Sequence, residues 1–326
     1  MSSSDRLRVF TWHVHGAYLY YLAHTDVDFF IPVREERTEG YYGRGESYPF
    51  GDNVFEIPFE EVRNHRFDII LYQSEKNYTV DRWEVLSEEQ LTLPAIYLEH
   101  NTPLESVTDQ LHPLKKEASL LVHVTHYNQL MWKHQTGRQR VIVHGVPDLG
   151  YQYSGAMAKG LVLINHIRER GRVAGWDIYQ TMAESLPIDI VGMGSENYGG
   201  MGDKRYPELH DFISDYRFLF NPMRYTSFGL AVCEAMMAGL PIVSLATTEY
   251  AKHIMNGVNG YVSNDLHWLQ TKMELLLEDR ELASELGKRA RNYALTHFNI
   301  ERFSQEWEQT LISESKSNYH EQDCIY

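Results

Sequence analysis

Residues 225–243 read YTSFGLAVCEAMMAGLPIV and place one carboxylate, Glu234, inside an otherwise apolar and small-residue segment. An isolated charge on a buried helix is costly unless something hydrogen-bonds it. Glu234 therefore needs a protein partner or a ligand. The punctuation around it is that of a strand, a loop, a helix and a strand. Asn221-Pro222 ends the apolar run YRFLFNP, Ser227 and Gly229 are helix-entry residues, and Gly239-Leu240-Pro241 stops the helix before the next apolar run.

The rest of the chain repeats this alternation. LRVFTW, VDFFIPV, FDIILYQ, PAIYLEH, SLLVHVTH and QRVIVHGV read as strands of a first parallel sheet ending near Val146. After the loop PDLGYQYSGAMAKG a second set follows: LVLINHI, PIDIVGMG, YRFLFNP, LPIVSLA and GYVSND. Two successive open α/β sheets are more economical than one very wide sheet. Residues 268–297 carry helical spacing with charged faces, and FNIERFSQEWEQTLIS reads as a further amphipathic helix with Asn299 as its cap. The expected domains are 1–150, 151–297 and a C-terminal helix with a loose polar tail over 298–326.

Composition narrows the functional classes. The 326 residues are 43% hydrophobic and carry a formal net charge of -15 without long basic runs, so a surface that tracks nucleic-acid phosphates is not expected. The two cysteines, Cys233 and Cys324, have no metal or redox spacing and suit a reducing compartment. MSSSDRLRVFTW contains no apolar signal core, and no window approaches the roughly 18 uninterrupted apolar residues of a membrane span. A cytoplasmic location is expected, with peripheral membrane contact left open.

In an open parallel sheet, ligands sit outside the carboxyl ends of the strands, where helix N-termini present unpaired N–H groups suited to phosphate. The turn Ser227-Phe228-Gly229-Leu230 is such a place. Its glycine allows close backbone approach, and Glu234 lies just over one helical turn further in, where it can accept two hydrogen bonds from a diol such as ribose. The competing reading has Glu234 bonded to neighbouring backbone or to a buried side chain.

Phe228-Gly229-Leu230, Glu234-Ala235-Met236, Ala238-Gly239, Pro241-Ile242-Val243 and Asn256-Gly257-Val258-Asn259-Gly260-Tyr261-Val262 together resemble the donor half of the retaining GT-B glycosyltransferases of the group 1 family. The resemblance covers roughly residues 189–297. It implies two Rossmann-like domains facing a central cleft, a nucleotide diphosphate sugar as donor, a saccharide or other hydroxyl acceptor, and neither metal nor added cofactor. In that family two glutamates separated by seven residues flank FGL. Glu234 stands on the second, which holds the ribose. Thr226 stands on the first, which contacts the donor sugar, so sugar identity is where this chain departs.

The family also clamps the diphosphate with an arginine and a Lys-Gly pair. LVLINHIRERGRVAGWDIY offers Arg168, Arg170 and Arg172, with Ala174-Gly175 where Lys-Gly would stand. Arg172 is the choice here, because a guanidinium forks onto a pyrophosphate and this residue lies nearest the loop-to-helix junction. Tyr97-Leu98-Glu99-His100-Asn101-Thr102-Pro103 resembles the segment whose histidine faces the donor sugar, which carries over to His100. Trp12-His13-Val14-His15-Gly16-Ala17-Tyr18 stands where relatives have a glycine-rich loop, and Gly16 is the residue that matches. His13 and His15 lack a third ligand at metal spacing. Asp26-Val27-Asp28 precedes its strand and so lies away from the ligand edge, while Gly192-Met193-Gly194 lacks the third glycine of a dinucleotide fingerprint, Asn197 standing in its place. The reading is a retaining, metal-independent hexosyltransferase. Its rivals are a nucleotide- or sugar-binding protein with little turnover, suggested by Thr226 and the missing lysine, and an epimerase on the same fold.

Overall fold

The computed structural model describes residues 6–115, 119–206 and 208–317; Cys324 and the tail read as loose lie outside the described residues. The chain forms two compact units. The first runs to residue 143 and takes up the C-terminal segment from 301, and the second spans 144–300.

The first unit is built on seven strands: β1 (Arg8–Thr11), β2 (Asp28–Val33), β3 (Val54–Pro58), β4 (Ile69–Tyr72), β5 (Ala95–Glu99), β6 (Leu120–His123) and β7 (Gln139–Val141). All pairings are parallel, in the order β3-β2-β1-β4-β5-β6-β7. β3 is the strand that the sequence reading passed over. It is an edge strand that buries only Val54 and Ile57, and its Glu56 and terminal Pro58 break the apolar run that marks a central parallel strand. The pair Asp26 and Asp28 lies at the amino end of β2, beside the Arg6 guanidinium at 2.8 and 3.7 Å, on the edge away from ligand crevices.

The second unit holds β8 (Met157–Leu163), β9 (Ile188–Val191), β10 (Tyr216–Asn221), β11 (Ile242–Ser244) and β12 (Gly260–Val262), again parallel, in the order β12-β11-β10-β8-β9. Strand order reverses between β1 and β4 in the first sheet and between β8 and β10 in the second. Those are the crevices at which open α/β sheets bind ligands. The charged periodic stretch after β12 is two helices, Leu266–Glu278 and Arg280–His297. They are separated by Asp279, whose carboxylate caps the second by accepting from the Leu282 N–H at 2.9 Å.

The C-terminal helix, Ile300–Ser315, buries Phe303, Trp307 and Leu311 in the first unit. One guanidinium nitrogen of Arg138 donates to both carboxylate oxygens of Glu314 at 2.7 and 2.9 Å, and the Trp307 indole N–H donates to the Tyr18 hydroxyl at 3.0 Å.

Beside β5 and β6 lies a buried imidazole cluster. His112 Nδ1 accepts from the Leu114 N–H at 3.0 Å, so its Nε2–H donates to Glu99 at 3.1 Å and the ring is neutral. His123 is fully buried with neither ring nitrogen hydrogen-bonded, and its ring packs 5.0 Å from that of His134. Burial, then the neighbouring His134 and His112, hold His123 down to about 2, and burial also lowers His134. The unfolded chain therefore binds more protons than the folded one below about pH 6.5, and stability falls as pH falls through that value. Between pH 7.5 and 5, His123 should remove about 2 kcal/mol of stability. Urea unfolding of His123→Leu over this range should show that much less acid loss than the parent.

Candidate functional site

In the second unit, Leu230–Ala238 forms the helix expected from the opening stretch, entered from Gly229 and closed by Gly239 at φ +95°. Val232, Cys233 and Ala235 to Ala238 are buried, while Leu230, Ala231 and Glu234 are partly open. Residues i, i+1 and i+4 share a face, so Glu234 sits on the one accessible side of the helix rather than among its core residues. That placement resolves how a carboxylate can stand in so apolar a segment.

The preceding turn is held from beneath. Ser227 and Phe228 are buried, and the Phe228 ring packs 4.6 Å from His253, 5.0 Å from Tyr250 and 5.4 Å from Phe298. The Phe228 carbonyl accepts from His144 Nε2–H at 2.7 Å, and the buried Tyr250 hydroxyl accepts from the Gly229 N–H at 3.3 Å. Phe228 is thus an anchor, and the open parts of the motif are Thr226, Gly229, Leu230 and Glu234. Gly229 has an ordinary φ of -80°, and an added Cβ would meet nothing nearer than the Tyr250 hydroxyl at 3.6 Å. The protein itself does not require a glycine there.

The loop after β8 is fastened to this turn across the switch point. The Val173 carbonyl accepts from the Arg224 N–H at 3.0 Å and the Tyr225 N–H at 3.3 Å. Gly175, at φ +83°, passes so close to the Pro222 carbonyl that a Cβ would lie 2.0 Å from it. Asp177 takes both arms of Arg224 at 2.6 and 2.7 Å and the Arg172 guanidinium at 2.6 Å, and these contacts, Arg224's above all, hold its carboxyl below the usual range. Arg172, 76% exposed at its side chain, is therefore turned toward Asp177. Arg170, two residues back, has no carboxylate partner among the described residues and lies within electrostatic reach of the Tyr250 hydroxyl under the turn. His166 and Thr248, at φ 51° and 49°, are strained non-glycine positions in the loops after β8 and β11.

Gly16 and His100 fall in the first unit, where they come together. The His100 ring lies 4.1 Å from that of His15, the residue before Gly16, and 4.7 Å edge-on from Tyr18. Burial, helped by His13, pushes His15 down to about 4, and burial lowers His13, whose Nδ1 bonds the Gly43 carbonyl. Gly16 is required by packing, since a Cβ would sit 2.7 Å from the Tyr48 ring. Tyr250 and Tyr18 are site neighbours that sequence reasoning did not select, and His15 is one that it ranked below Gly16. For His15 the available signal was its place between a strand and a helix; for the tyrosines there was none.

Among the described residues no group of three or more His, Cys, Asp or Glu is arranged to hold a metal, and no helix is long and apolar enough to cross a membrane.

Residues 196–293 match the family model described as "Glycosyl transferases group 1", which bears out the resemblance over that segment. A stretch of 62 residues is 44% identical to sucrose synthase 2 of Hordeum vulgare, covering 19% of this chain and 8% of that relative's length. Among solved structures, HepE of Anabaena in complex with UDP-glucose is similar over 94% of this chain and 100% of its own, with a TM-score of 0.73 and 14% identity. Sucrose-phosphate synthase of Thermosynechococcus elongatus is similar over 94% and 99%, with a TM-score of 0.70 and 16% identity. The fold is therefore the GT-B α/β fold with its two parallel sheets.

If the junction at Val173 is structural and the opening at Gly229 is not, Gly175→Ala should lower the unfolding free energy by at least about 2 kcal/mol. Gly229→Ala should stay within about 0.5 kcal/mol of the parent. Denaturant midpoints in the reverse order would dissolve this distinction.

Proposed function

We propose that the chain is a glycosyltransferase that moves a sugar from a nucleotide diphosphate sugar to a saccharide or other hydroxyl acceptor, with retention of anomeric configuration. The observation that carries this reading is Glu234, the single carboxylate on the open face of a helix whose entry turn lies at a sheet's switch point. The group 1 match over 196–293 supports it, as does the UDP-glucose held by a protein of the same fold.

In this reading the Glu234 carboxylate accepts the two ribose hydroxyls. The N–H groups at the start of helix Leu230–Ala238, aided by its dipole, face the diphosphate, and the absence of a Cβ at Gly229 admits it. Arg170 and Arg172 flank that position. Arg170 already lies toward the turn, and Arg172 exchanges Asp177 for phosphate. As the bond to the sugar breaks, negative charge grows on the leaving diphosphate, and these donors stabilise it more than they stabilise the bound donor. They take the place that a metal fills in other transferases. Thr226 gives the sugar a hydroxyl where the family has a carboxylate. Ser227 and Phe228 hold the turn, Gly16 gives its loop the room that the Tyr48 ring fills, and His100 is the polar group beside the reacting carbon. The buried thiol of Cys233 suits the reducing cytoplasm.

Thr226 and Ala174 keep a second reading alive, a binding protein with little turnover; an epimerase on this fold is a third. Unfolding in the presence of a panel of nucleotide sugars, with turnover measured with and without acceptors, separates them. A donor at a hundred times its Kd should add about 2.7 kcal/mol of stability. Glu234→Ala should weaken donor binding at least about 100-fold, since its two bonds to the ribose, each to a charged group, contribute about 1.5–3 kcal/mol apiece. Gly229→Ala should fold as the parent does and bind donor poorly. Binding without turnover supports the binding protein, acceptor-independent conversion of the donor supports the epimerase, and no stabilisation by any donor removes the ribose role of Glu234.

The arginines can be apportioned in the same assay. Arg170→Ala is expected to weaken nucleotide diphosphate binding at least tenfold and Arg172→Ala less than threefold; the reverse order assigns the diphosphate to Arg172.

A further inference from the structure

The C-terminal helix reaches the first-unit histidines through one buried polar contact. Trp307 and Tyr18 are both fully enclosed, and the indole N–H donates to the phenol oxygen at 3.0 Å. The same Tyr18 ring stands edge-on to His100 at 4.7 Å and 86°, while Phe303 and Trp307 back it at 5.5 and 6.4 Å. His100 in turn lies 4.1 Å from His15, three residues before Tyr18 on the chain and at the entry of the same helix, Gly16–Leu22.

A leucine pair would fill such a helix contact with comparable stability, because a neutral hydrogen bond contributes only about 1 kcal/mol net. What the polar pair adds is direction. A phenol tied at its oxygen cannot rotate out of its plane or slide along the helix, and a ring held edge-on leaves the imidazole one orientation. Two rings in series, Trp307 and Tyr18, thus run from the C-terminal helix to the pair His100 and His15.

We propose that Trp307 and Tyr18 are positioning residues for the His15–His100 pair, the Trp307-to-Tyr18 hydrogen bond fixing the ring against which His100 is oriented. The inference rests on the reading of His100 as the group beside the reacting carbon. The ionisable groups facing this cluster are His13 on the His15 loop, Arg302 and Glu306 on the C-terminal helix, and Glu56 beyond His13. Arg302 and Glu306 pair with each other at 3.2 Å, so Trp307 substitutions leave the local charge unchanged.

The test is to follow the imidazole signals of His15 and His100 by NMR through a pH titration of the full chain, assigned with His15→Asn and His100→Asn. Trp307→Phe and Tyr18→Phe break the bond from opposite sides and keep both rings. Leu311→Val serves as a control for loss of helix packing alone. In both bond-breaking variants, the His15 midpoint is expected to rise from about 4 by at least half a unit as the cluster loosens. Sugar transfer should fall about 5- to 20-fold in kcat with donor affinity within twofold of the parent, and the double variant should be no slower than either single one. Histidine signals that stay with the parent, or move no further than in Leu311→Val, overturn the positioning role whatever the rate does. If the parent transfers no sugar, the titration still decides the role of Trp307, and it is the transferase reading that falls.

Discussion

Two backbone donors, the N–H groups of Arg224 and Tyr225, converge on one acceptor, the carbonyl of Val173. Each bond contributes only about 1 kcal/mol, yet the pair decides the geometry of the second unit's ligand edge. It ties the loop after β8, with its three arginines, to the turn after β10, with its helix entry. Gly175 makes the approach feasible by leaving the space against Pro222 empty, and Asp177 locks it with ionic contacts to both sides. The separation between this helix N-terminus and the guanidinium groups of the loop after β8 is held by this junction.

The turn itself is fixed by apolar contacts rather than by charge. Phe228 sits among Tyr250, His253 and Phe298, and its carbonyl is satisfied by His144. Charge and backbone donors can then remain open above a rigid floor. The first unit follows the same plan with imidazoles, where His15 and His100 touch one another over the buried Tyr18. In both units partly open polar groups rest on buried aromatic rings, held by packing around Phe228 and by the Trp307 hydrogen bond at Tyr18.

Much of this was legible from residues alone. Apolar runs and their bounding turns located the central parallel strands, and Gly239 with Pro241 marked where helix Leu230–Ala238 stops, because those signals are local. β3 escaped notice since an edge strand with Glu56 and Pro58 lacks the continuous apolar run that burial on both faces imposes. Asp279 was passed over as a break because helical spacing continues on either side of it. The direction in which Arg172 points is settled by Asp177, and that pairing depends on a three-dimensional turn at Gly175 that spacing does not reveal. Tyr250 carries no sequence signal, since a tyrosine under a loop and a tyrosine in a core look the same in one dimension. Glu234 was recognisable because a lone carboxylate among small apolar residues is a local anomaly.

The helix Ile300–Ser315 belongs by its contacts to the first unit but comes last in the chain. A ribosome making this protein releases β1 to β7 early and withholds Phe303, Trp307 and Leu311 until the whole of 144–300 has emerged. At roughly 5–20 residues per second that interval is on the order of ten seconds. Throughout it, the apolar surface that Trp307 will cover, Tyr18 included, stands exposed on the nascent chain. The first unit, although its strands are made first, is not complete until the second has been made.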